Sequence, residues 1–191
     1  MERAIYKLFK SVVEKELSRK IRLSGEVKVW MNEVLVSIFH RFVHGSITML
    51  ECRQQKTLKD DDIRAIASMI YIGDIAVHAV EYADTVCQGS RNELFFTPSR
   101  VRSMLVDALA RYTKNYTKYK KGVCIGPMVP VVLAAVLQYI ALEVFRSTCQ
   151  HAVPPEKKTV YKDDVLAAIH LHKDLSQTLC ASGMLHYALS T

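Results

Sequence analysis

With only seven glycines and half of its 191 residues hydrophobic, the chain lacks the composition of a disordered protein. Cysteine offers no framework either. Cys52, Cys87, Cys124, Cys149 and Cys180 are odd in number and never spaced as C-x-x-C, so they read as reduced thiols of an intracellular protein, mostly small core residues. The opening MERAIYKLFK is charged throughout and has no apolar run of the kind a secretory signal needs. No segment alternates with a period of two, which excludes extended strands and leaves an all-α chain. There is no G-x-S-x-G, no Walker loop and no dinucleotide fingerprint. His40 and His44 have one metal-ligand spacing but no third ligand nearby, and Cys149 with His151 is equally isolated. The expectation is a protein with no enzymatic activity, metal or cofactor.

What the chain does contain is repetition. QKTLKDDDIRAIASMI (55–70) returns as KKTVYKDDVLAAIHLH (157–172), each with a Lys-Thr pair, an Asp-Asp pair and an apolar helical pattern. The Asp pairs, Asp61-Asp62 and Asp163-Asp164, suit the first turn of a helix better than acid–base chemistry. Ahead of each copy lie a short amphipathic helix, a basic loop and a long apolar helix. Ile5, Leu8, Phe9, Val12, Val13 and Leu17 form the first short stripe, and Val101, Met104, Leu105, Ala108 and Leu109 the second. Ser24 and Thr97 are the N-cap candidates, the latter before Pro98. The long helices fall near 26–52 and 130–152, and Gly73 separates a short helix from a further one reaching Val86. The units are 1–88 and 97–191, with a connector at 89–96.

From Val123 to Leu142 no residue is charged, a run long enough to cross a bilayer. Gly126, Pro127 and Pro130 at its start, and Glu143 and Arg146 on the same predicted helix, favour a buried soluble helix and no membrane. A long helix of about 40 Å with apolar residues on several faces cannot be covered by two short ones. The two long helices should therefore cross and share their flanking helices within one chain. That packing brings the loop at 18–25 to that at 156–162, and the loop at 53–59 to that at 114–122.

The formal charge is +7. Most of the Lys and Arg residues fall in 1–22, 53–59, 100–121 and 156–162, which are helix starts and loops where backbone amides can also meet phosphate. These stretches supply the candidate DNA contacts Arg3, Lys7, Arg19, Lys20, Arg22, Lys56, Arg102, Lys118, Lys120 and Lys121. Tyr112, Tyr116 and Tyr119 are spaced to share one helical face and are assigned to packing.

Short–long–short helices with Lys-Thr loops resemble the histone fold. Residues 27–83 resemble histone 2B, with Gly73, Asp74, His78, Ala79 and Val80 matching that family's turn and additional helix. Residues 96–169 resemble histone 2A, most specifically in VLAAVLQYI and the KKT loop. The order 2B then 2A is similar to the fused doublets of large DNA viruses. The resemblance implies two histone folds in an intrachain head-to-tail handshake, binding duplex DNA without sequence preference and packaging it in nucleosome-like particles. It implies DNA contacts at Arg100, Lys157, Lys158 and Thr159, and at Lys56 and Thr57. Gln55 and Val160 stand where loop arginines are expected, and Cys124 where one precedes the second long helix. The acidic patch is eroded: Gln138 and Arg146 replace acids beside Glu143, and His172-Lys173-Asp174 keeps one. The long basic N-terminal tail is missing, and the C-terminal docking extension is shortened to SGMLHYALST. Implied partners are a histone 3/4-like pair or doublet, docked around Met49, Leu50, Ile66 and Ile70, and a second copy of the chain in the particle. Implied locations are chromatin, and for a viral protein the host nucleus or the viral factory and virion. The alternative is a regulatory or scaffold histone-fold pair acting mainly through protein contacts.

Overall fold

The computed structural model describes residues 2–89, 94–114, 116–119 and 122–181. The chain is mostly helical. Its first part runs α1 (Glu2–Leu17), β1 (Arg22–Leu23), α2 (Gly25–Cys52), β2 (Thr57–Leu58), α3 (Asp60–Ile70) and α4 (Asp74–Gln88). The second runs α5 (Pro98–Thr113), a single 3-10 turn (Thr117–Tyr119), β3 (Cys124–Ile125), α6 (Val129–His151), β4 (Thr159–Val160), α7 (Lys162–Leu171) and α8 (Lys173–Ala181).

Local chemistry explains the helix ends. Ser24 Oγ accepts from Val27 N at 3.3 Å, capping α2. The other end of α2 closes with Gln54 at φ +52° and Gln55 N–H donating to the Leu50 carbonyl. In α3 and α7 the Asp three residues past the cap reaches back, so that Lys59 N donates to Asp62 and Tyr161 N to Asp164, both at 2.8 Å. Pro98 occupies the first turn of α5, where its missing N–H costs no helical bond.

The four short strands were not expected, because two residues are too few to carry an alternating pattern. They form two parallel pairs that join the two parts of the chain. Arg22 stands opposite Thr159 and Leu23 opposite Val160. Thr57 stands opposite Cys124 and Leu58 opposite Ile125, just past the expected stretch 114–122. α8 was also unforeseen, and it fastens the second part to the first: Thr178 Oγ accepts from Ile72 N at 3.0 Å and Asp174 from Asp74 N at 2.9 Å.

One core contains residues of both parts. α6 runs through its middle, buried at every position from Val129 to Ala141, and is packed by α1, α3, α4, α5 and α7. It is the one helix among the described residues long and apolar enough to cross a membrane, and here it is enclosed by protein. Phe9 meets Phe145 edge-on at 5.2 Å between ring centroids, and Tyr71 donates its hydroxyl to the Val136 carbonyl at 3.0 Å. Burial raises the Tyr71 phenol well above its usual range, so it remains a donor. Each fully buried aromatic or aliphatic side chain contributes roughly 1.5–3 kcal/mol.

Candidate nucleic-acid interface

At both strand pairs the period of two sorts side chains by chemistry. Leu23, Leu58 and Val160 point into the core, while Arg22 and Thr57 face out, with Thr159 half-buried. Arg22 N donates to the Lys158 carbonyl at 2.9 Å, which brings two exposed cations from opposite parts of the chain side by side. Exposed Lys20 joins them, and all three line a groove of about 760 Å³ together with Tyr6 and Lys10. Val160 is fully buried, so an arginine at that position would enter the core and not DNA.

Two expected contacts in this region have other work. Arg19 donates to the Val153 and Pro154 carbonyls at 3.2 and 2.7 Å and to that of Pro155, holding the loop that follows α6. Lys157 is paired with Asp164, and both are half-buried. The first part has the matching pair in Arg53 and the buried Asp62. Gln55 cannot supply that cation, and Arg53 reaches the same carboxylate from two residues earlier. Arg19 and Lys157 thus make contacts within the fold, Arg19 to neutral carbonyls and Lys157 to a carboxylate.

A second cluster lies where α1 meets α5. Arg3, Lys7 and Arg100 line one cleft of about 190 Å³ against Phe95 and Phe96. Arg102 is exposed two residues beyond Arg100 and does not line it. A third cluster surrounds the other strand pair. Cys124 N donates to the Lys56 carbonyl at 2.9 Å, Lys56 and Thr57 are exposed, and Lys118 Nζ donates to Gln54 Oε1 at 3.0 Å. Lys120 and Lys121 lie outside the described residues. Because Lys7 borders the second cluster and Lys10 the first, α1 bridges them. Lys10 and Arg53 were missed as individual residues.

Three of the four expected docking residues face inward. Leu50, Ile66 and Ile70 are buried within the chain's own core, because α2 and α3 pack on each other along that stripe, and Met49 is half-buried. The exposed apolar residue there is Met69, at 71%. Gln138 and Glu143 are both engaged within the fold. Gln138 is buried, accepts from the N–H of Phe95 at 2.7 Å and of Phe96 at 3.4 Å, and donates to the Tyr82 hydroxyl at 2.7 Å, anchoring the connector. Glu143 is bonded by Arg146 at 2.8 Å. The segment SGMLHYALST, residues 182–191, lies wholly outside the described residues.

Among the described residues no group of three or more His, Cys, Asp or Glu could hold a metal. His40 and His44 are exposed and meet Tyr112 edge-on, at 6.4 and 4.5 Å between centroids. Cys52, Cys124 and Cys180 are exposed, so the expectation of mostly core cysteines fails. Only Cys149 is buried, which pushes its thiol up to about 11. No protein-family model matches the chain, and no curated protein sequence matches it.

Proposed function

We propose that this chain is a fused pair of histone folds that binds the backbone of duplex DNA without reading its sequence and packages it with a histone 3/4-like pair. The observation that carries this reading is the convergence of cations from both parts of the chain at the strand pairs. Arg22 and Lys158 adjoin there because two parallel strands place them so, and the inward partners are apolar. Cations on loops and helix starts suit phosphate contact, whereas base recognition needs an element presented to a groove. Three clusters in succession, linked by α1 and α5, support contact with several phosphates along a duplex.

A partner pair would dock near Met69 and Met49, since the buried stripe of Leu50, Ile66 and Ile70 cannot receive one. Duplex binding should weaken steeply with salt and vary little with sequence. Titration of unrelated duplexes across a range of salt concentrations tests this. Salt-independent affinity, or strong preference for one sequence, would contradict it.

A further inference from the structure

We propose that the groove between α1 and the β1–β4 pair holds an unpaired nucleotide, so that the chain binds single-stranded nucleic acid there; this rests on the nucleic-acid reading above and extends it. Contact with duplex phosphates needs only cations at a surface. This groove has more. Its volume of about 760 Å³ lies within the range of small-ligand sites, roughly 300–1,000 Å³. One wall is the ring of Tyr6, which is 41% exposed although it belongs to the amphipathic helix α1.

The surroundings of that ring suit a planar ligand. Lys28, which does not line the groove, holds its ammonium 4.9 Å from the ring centroid, and the ring itself borders the groove. Val13 and Ile21 add apolar surface beside it. Lys10, Lys20, Arg22 and Lys158 border the same space and can meet the phosphates on either side of a stacked base. The only acid in the lining is Glu14, facing Lys10 at 3.9 Å. An aromatic platform inside a cationic groove is the combination that holds single strands, because every base has a π-face to stack and a phosphate to neutralise. The cleft at Arg3, Lys7 and Arg100 has cations but only about 190 Å³, too little for a nucleotide.

The test compares an oligo-dT with a duplex of equal length, at one salt concentration, by fluorescence anisotropy on the full chain. Tyr6→Ala should weaken oligo-dT binding about tenfold, in line with the loss of one stacked base, while duplex affinity stays within about twofold. Tyr6→Phe, which keeps the ring, should bind both as the parent does. If Tyr6→Ala lowers both affinities equally, or neither, the proposal is wrong. Should Tyr6→Ala fail to fold, Tyr6→Trp decides instead: the natural Trp30 is buried, so a new exposed indole should be quenched by oligo-dT, and absence of quenching overturns the site. Failure of the parent chain to bind duplex would sink the packaging reading alone, and failure to bind oligo-dT would sink this one.

Discussion

At the scale of single residues, a charge's partners decide its role. Lys20, Arg22 and Lys158 are exposed and lie together at the groove, whereas the neighbouring Lys157 is paired with Asp164. Alanine at the first three should weaken binding to every duplex alike and lower the salt slope by about one per residue removed. Lys157→Ala should instead cost ~1 kcal/mol of stability in urea unfolding, because it leaves the half-buried Asp164 carboxylate with only its bond from Tyr161 N, with a smaller change in the salt slope. Asp60 gives a pH dependence. Its hydrogen bond from Arg64, at 2.6 Å, holds its carboxyl below the usual range. A depressed folded value means its contribution is complete above the ordinary carboxylate pKa of about 4 and is lost as pH falls through the lower folded value. Asp60→Asn should therefore flatten the acid limb of a stability–pH curve.

At the scale of elements, the informative places are where one element fixes another. Gly73 has φ +58°, and a Cβ there would collide with the Asp174 carboxylate that α8 brings to the start of α4. Gly73→Ala should destabilise the chain by roughly 1–3 kcal/mol and loosen α8, measurable as faster amide exchange in 173–181. The stripe on α2 and α3 separates folding from docking. Leu50→Lys puts a charge into the core and should abolish cooperative unfolding. Met69→Lys alters an exposed side chain, so it should leave the helical circular-dichroism signal intact while weakening capture of the histone 3/4-like pair proposed as partner.

At the scale of the whole molecule, the two parts share one core instead of each having its own. α6 is covered by α1, α3 and α4 from the first part, and the strand pairs close only between parts. Neither half alone can bury its long helix, and each is small enough to be marginal in any case. Residues 1–89 expressed alone should show no cooperative thermal transition, and adding 94–191 should restore one. A sharp transition for the isolated half would refute the shared core. The covalent connection, anchored at Phe95 and Phe96 by Gln138, also removes the concentration dependence of pairing.

Sequence alone determined the helices before α8, because apolar spacing, Ser24, Pro98 and the Asp pairs are local signals acting within one turn. It also indicated that the long helices must be buried together, since their apolar residues exceed what one short neighbour can cover. It located the basic stretches, because charge is visible in composition. Only the tertiary structure decided which cations stay exposed, since the carbonyl contacts of Arg19 form across the fold and the ion pair of Lys157 depends on how its loop turns into α7. The same holds for the strand pairs, whose two-residue length carries no period, and for α8, whose anchors lie on the far side of the sequence. Leu50, Ile66 and Ile70 illustrate the limit: an amphipathic stripe shows which residues seek burial, but not whether the chain's own helices or a partner will cover them.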